Sequence, residues 1–117
     1  MTKPMERTIQ RIVAFAAQLA EPDEIILFGS MAHGKNRIHS DLDLLIVMSD
    51  DFQDKQISER VKQFAGELAV KADVLVYPRF ELERAVQQRH SFLASVLHDG
   101  KTVYRKGGNS WRGPSKI

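Results

Sequence analysis

Seven consecutive residues, Leu42 to Met48 (LDLLIVM), set the fold class more firmly than any other part of this chain. The run is apolar at nearly every position. A strand with one wet face alternates apolar and polar residues, so a continuous run belongs to a strand covered on both sides. Covering both sides of a strand takes a sheet with helices packed against it. The chain supplies them. Glu6 to Ala20 carries Ile9, Ile12, Val13, Ala16 and Leu19 on one stripe, with Pro4 just before it and Glu21-Pro22-Asp23 ending it. Lys55 to Val70 reads as a second amphipathic helix, with Ile57, Val61, Phe64 and Leu68 inward.

The remaining elements are shorter. Ile25 to Phe28 reads as a buried strand, and Ser30 to Gly34 as a single helical turn opening a loop. Asp73 to Tyr77 is a third strand, stopped by Pro78. Phe80 to Arg89 and Ser91 to His98 read as two short helices, with Ser91 capping the second. Asp99-Gly100 turns the chain into a last strand, Thr102 to Arg105. The expected fold is α/β, a small mixed sheet flanked by helices. At 117 residues the chain fits one domain, taken as residues 1–105, followed by a flexible basic tail, residues 106–117.

Charge and cysteine content narrow the setting. Of 17 lysines and arginines, Lys106, Arg112 and Lys116 lie in that tail, where no acid occurs. The other 14 are set against all 15 acids, so the body is not a cationic surface of the kind that grips nucleic acid. Contact with nucleic acid is expected only through the tail. There is no cysteine, which excludes disulfides and thiolate metal sites and fits a reducing cytoplasm. No apolar leader follows Lys3 and Pro4, and no apolar run approaches the ~20 residues of a membrane helix.

The strand order gathers three acids. Asp41 and Asp43 alternate across one residue and so share a face at the start of the second strand. The short link from the first strand favours an antiparallel pair, returning Gly29-Ser30 beside them. A helical crossover, Ser49 to Lys71, normally leaves two strands parallel, which puts Asp73 on the same edge. Carboxylates at ~4 Å repel by about 4 kcal/mol per pair at an effective dielectric near 20, so protons or cations must compensate. An all-oxygen set suits Mg²⁺ or Mn²⁺, and Mg²⁺ in particular shares its shell with substrate phosphates. Two such ions can clamp an in-line phosphoryl displacement.

Gly29-Ser30, ten residues, then Asp41-Leu42-Asp43 is a pattern with a known likeness. The chain resembles the minimal nucleotidyltransferases, a stripped-down branch of the DNA polymerase β-like nucleotidyltransferases. That branch includes antitoxins paired with all-helical HEPN ribonuclease toxins. The motif likeness runs from about Glu24 to Tyr77; beyond it only the order of elements agrees. It implies that Asp41 and Asp43 hold the metals. It implies that Asp73 binds the metal nearer the acceptor hydroxyl and helps take its proton. Gly29 would let the backbone approach a triphosphate, and Ser30 would hydrogen-bond a phosphate oxygen. The implied reaction is Mg²⁺-dependent transfer of AMP from ATP to a hydroxyl, a tyrosine of a HEPN toxin. Two alternatives stay open: transfer to a small molecule or a nucleic-acid end, and a non-catalytic antitoxin that acts by binding. So small a core also implies a homodimer or a hetero-complex.

Some residues imitate other sites. Gly29 to Asn36 nearly spells a phosphate-binding P-loop, but Asn36 stands where Ser or Thr should hold Mg²⁺, and the segment leads into a strand rather than a long helix. Relatives often carry Arg where this chain has His33, which is shorter and mostly neutral at pH 7, so no triphosphate contact is carried over to it. Lys35 and Arg37 are read as solvated loop charges. Arg84 and His90 echo the Arg and His of HEPN ribonucleases, yet six residues along a helix put them well off one face. His39 and His98 show no ligand spacing, Tyr77 and Tyr104 are expected to pack, and Trp111 sits in the tail.

Overall fold

The computed structural model describes residues 3–33, 41–50, 56–88 and 91–107. The chain runs α1 (Lys3–Ala20), β1 (Glu24–Phe28), a 3₁₀ turn (Ser30–His33), β2 (Leu42–Met48), α2 (Ile57–Glu67), β3 (Ala72–Pro78), α3 (Arg79–Gln87), α4 (Phe92–Asp99) and β4 (Lys101–Arg105). The expected α/β class holds, and β2 has the bounds read from the apolar run. Among the described residues, no helix is long and apolar enough to cross a membrane.

The strands form one mixed sheet in the order β3-β2-β1-β4. β1 is antiparallel to β2, with Phe28 opposite Asp43, and β2 is parallel to β3, with Asp43 opposite Asp73. β4 adds antiparallel to the other side of β1, with a shift of register at Ile25/Ile26. α1 and α2 pack with Ile25, Leu27, Leu42, Leu44, Ile46, Val74 and Val103 in one core cluster. Leu45, Val47 and Ile26 point the other way and pack with Leu82 of α3 and Val96 of α4. Successive strand residues face opposite sides, so the two clusters identify which residues face which helices.

Element ends differ from the expected ones for local reasons. α1 begins at Lys3, three residues early, because a proline in the first turn lacks only an N–H that has no helical partner there. It stops where Glu21 takes the left-handed conformation (φ 47°) ahead of Pro22. α2 ends at Glu67; Ala69 is left-handed (φ 62°), and the N–H of Val70 reaches back to the carbonyl of Ala65 at 2.9 Å. Ile57, Val61 and Ala65 are its buried residues. Phe64 faces inward as expected, half-buried against the core, and stacks flat on Phe15 of α1 with ring centroids 4.3 Å apart.

The second helical pair is held by caps. The carboxylate of Asp50, just past β2, accepts the N–H of Phe80 at 2.8 Å. Ser91 caps α4 as expected, its hydroxyl accepting the N–H of Ala94 at 3.0 Å. At Gly100 a side chain would strike Ile26 and the carbonyl of Val96, so glycine lets the end of α4 lie directly on β1. The expected tail begins at Lys106 and Gly107, which form a turn, and its remainder with Trp111 lies outside the described residues, as do Lys35, Arg37, His39 and His90.

Candidate active site

The two ends of β1 meet acids in opposite ways. At its start, Glu24 is buried and accepts the hydroxyl of Thr102 at 2.6 Å. Two guanidiniums sit beside it, Arg79 at 3.4 Å and Arg105 at 3.5 Å, and Arg79 also lies 3.8 Å from Asp23. That acid is matched by cations and ties α3 and β4 to β1. At the far end of β1, acid meets acid.

There the chain leaves Phe28 into Gly29, whose φ of 77° is left-handed. A side chain at this residue would run into the carboxylate of Asp43. Glycine is therefore needed twice, for the turn and for the close approach. The 3₁₀ turn that follows is anchored by Met31 and Ala32, both buried in the α1/α2 core, while Ser30 stays exposed. The amide of Ala32 closes the turn on the carbonyl of Gly29 at 3.1 Å. Ser30 is thus an exposed residue on a fixed backbone, directly after the glycine that Asp43 lies against. The side chain of His33 lies outside the described residues.

Asp43 lies opposite Asp73 in the parallel β2–β3 register, and alternation places both on the α3/α4 face of the sheet. The Asp43 carboxyl is pushed up from the ordinary 3.8 to about 6. Burial is the largest cause, followed by the negative charges of Asp73 and Asp41 and a side-chain hydrogen bond with Asp73. Asp41 and Asp73 are therefore both within electrostatic reach of Asp43, which lies against Gly29. Among the described residues no set of three acids or histidines is drawn into one metal-sized cluster. A closed cage is not what Mg²⁺ needs: it is ordinarily held by one or two carboxylates, with water and phosphate completing the shell. An oxygen-only donor set in which burial and neighbouring negative charge raise one carboxyl fits a divalent cation, which would relieve that repulsion.

The other sequence candidates do not join this edge. Arg84 pairs with Glu81 at 3.3 Å. His98 is exposed beside Asp99. Tyr77 and Tyr104 pack against the two core clusters. Two aromatic residues absent from the sequence candidates do lie close by. Phe28 is opposite Asp43, a placement that follows from the antiparallel link, and Phe92 stands edge-on to Phe28, with centroids 6.3 Å apart. No spacing in the sequence connects Phe92 to the acids.

The domain is thus a small mixed sheet with an acid edge beside a tight glycine turn. Residues 9–98 match the family model of the nucleotidyltransferase domain, and the chain belongs to that family, whose members generally act on nucleoside triphosphates with divalent metals. Among solved structures it is similar to a Sulfolobus solfataricus protein assigned as a nucleotidyltransferase, at 18% identity and a TM-score of 0.56, over 93% of this chain and 86% of the other. It is also similar to a chain of a toxin–antitoxin structure with AMP-PNP, at 21% identity and a TM-score of 0.52, over 80% of this chain and 70% of the other. These likenesses are of fold. No curated protein matches the chain.

Proposed function

We propose that this nucleotidyltransferase-family domain transfers AMP from ATP to a hydroxyl with Mg²⁺, and that the acceptor is a tyrosine of a cognate HEPN-type toxin. The observation that carries the transfer chemistry is the contiguity of Gly29-Ser30 with Asp43 and Asp73. A backbone able to approach phosphate lies directly against carboxylates able to hold a cation. In this reading Asp41, Asp43 and Asp73 hold Mg²⁺, which supplies charge neutralisation at the triphosphate and at the acceptor oxygen. Gly29 admits the phosphates, Ser30 donates a hydrogen bond to one of them, and Asp73 helps take the acceptor proton. The acceptor oxygen forms its bond to the α-phosphorus of ATP as the bond to the departing pyrophosphate breaks.

The protein acceptor is supported by the likeness to a chain of a toxin–antitoxin structure, and by the motif resemblance to the minimal nucleotidyltransferases. The test is the intact mass of the co-produced toxin after incubation with ATP and Mg²⁺, using wild type and Asp41→Ala/Asp43→Ala. A gain of one or more AMP units with wild type alone is expected, with at least about a 10³-fold loss in the variant, since the metals are asked for several kcal/mol of the barrier. Equal toxin neutralisation by the variant, at stoichiometric levels and without a mass gain, would replace transfer by binding.

A further inference from the structure

Among the described residues three large apolar side chains are exposed: Phe80, Val86 and Phe92. Single exposed apolar residues are common and carry no message of their own. Phe92 differs in its surroundings. The residue is 61% exposed, its ring is edge-on to Phe28, and Phe28 is the cross-strand partner of Asp43. Opposite residues of an antiparallel pair project on one face, so Asp43, Phe28 and Phe92 form a row leading away from the acid edge. Phe92 also lines a cleft of about 170 Å³ with Tyr77, Glu81, Arg84, Gln88 and Leu93. That is below the ~300 Å³ where pockets for whole small molecules begin, and suits one planar ring system.

We propose that Phe92, braced by Phe28, is the platform on which the nucleobase of the bound nucleotide stacks. This rests on the nucleotidyl-transfer reading and adds a base subsite to it. A nucleotide whose phosphates lie at Gly29-Ser30 and the acids must extend its base along one side of the site. The row through Phe28 offers an aromatic face there. Stacking needs a π-face and no hydrogen-bond code, consistent with a sequence that has no base-reading motif. The amide of Gln88, at the cleft rim, can both donate to and accept from a base edge. The brace matters because an edge-to-face partner fixes the orientation of an otherwise mobile exposed ring.

The test is calorimetric binding of ATP and of inorganic tripolyphosphate, each with Mg²⁺, to wild type, Phe92→Ala, Phe92→Leu and Phe92→Tyr. Wild type is expected to bind ATP more tightly than tripolyphosphate. Phe92→Ala and Phe92→Leu should weaken ATP on the order of 10-fold and leave tripolyphosphate unchanged, while Phe92→Tyr keeps wild-type affinity. Leucine retains apolar bulk, so it separates loss of the ring from loss of packing. Unchanged ATP affinity in both ring-less variants, or a parallel fall for both ligands, overturns the platform. So does unchanged ATP affinity with a raised KM for the protein acceptor, which would give the ring to the acceptor instead. Wild type binding the two ligands equally also overturns the platform but leaves nucleotidyl transfer standing. Wild type binding neither overturns both.

Discussion

The two faces of the sheet are covered to different depths. Over one lie α1, of 18 residues, and α2, of 11, and among the described residues nineteen buried ones form a single cluster there. Over the other lie α3 and α4, of 9 and 8 residues, where among the described residues five are buried and as many half-buried, Phe28, Leu75, Tyr77, Leu93 and Leu97, while in the thick cluster buried residues outnumber half-buried ones about two to one. Asp43 and Asp73 belong to the thin side, and Asp41, two residues before Asp43, continues the same alternation. The difference teaches where each property resides. Carboxylates that hold a cation against phosphate, as proposed for these, cannot be sealed under long helices, since a buried unpaired charge is prohibitively costly. The thick face therefore supplies stability, and the thin face keeps the acid edge open.

The sharpest way to break this division is a pair of truncations. Leu44 is fully buried in the thick cluster and Leu82 nearly so in the thin one. Leu44→Ala should cost about 4 kcal/mol in urea unfolding, near the upper part of the range for such cavities. Leu82→Ala should cost about 2 kcal/mol, because short helices beside an open margin can settle into the space. Equal costs would show that the two faces contribute alike to stability.

Gly29 joins the two faces, with Asp43 against it on the thin side and Met31 and Ala32 of its turn in the thick core. Gly29→Ala imposes a left-handed backbone on a residue with a side chain and drives that side chain into the Asp43 carboxylate. The expected cost is about 1–3 kcal/mol of stability. Transfer activity should fall further than stability does, since relief of the clash moves the turn away from the acids. Assaying AMP transfer at a temperature where the variant remains fully folded separates the two effects.

Much of this plan was legible in the sequence because it depends on local patterns and chain connectivity. The apolar run of β2 required cover on both sides. The short β1–β2 link and the helical β2–β3 crossover set strand directions, and those alone bring Asp41, Asp43 and Asp73 to one edge with Gly29-Ser30. What escaped the reading is made by residues far apart in the chain with no periodicity between them. Asp50 caps α3 across 30 residues, Glu24 meets Thr102 across 78, and Phe92 finds Phe28 only once α4 has docked. Phe64 faces the core as its helical spacing predicts, but its flat stack on Phe15 joins two helices 49 residues apart and has no signal in that spacing.

Smaller effects sharpen the comparison on the thin side. The Ser91 hydroxyl satisfies one of the free amides of α4, and Phe92 is the next residue. Ser91→Ala should cost about 1 kcal/mol by loss of the cap. The damage should concentrate in the first turn of α4, seen as faster amide hydrogen exchange at Ala94 and Ser95 with α1 amides unaffected. Equal acceleration in α1 would mean that α4 and the thick face unfold as one unit.

Asp43 carries the smallest stability change and the one of opposite sign. Its folded-state value, about 6 against the ordinary 3.8, means that the folded protein holds this proton more tightly than the unfolded chain does. Stability from this group is therefore present in full below about pH 4, falls as pH rises towards 6, and is flat above it. Asp43→Asn removes the titration, so the metal-free variant should be more stable than wild type at pH 7.5. The gain should be no more than about 1 kcal/mol, because solvent screens a partly exposed carboxylate. At pH 4 the two proteins should melt alike. Mg²⁺ should raise the melting temperature of wild type at pH 7.5 and much less at pH 5, where a proton competes for the same oxygens. It should leave Asp43→Asn nearly unmoved. A variant destabilised at pH 7.5 would show that Asp43 is held by favourable contacts rather than crowded by like charge, and the case for an edge prepared for a cation would fall with it.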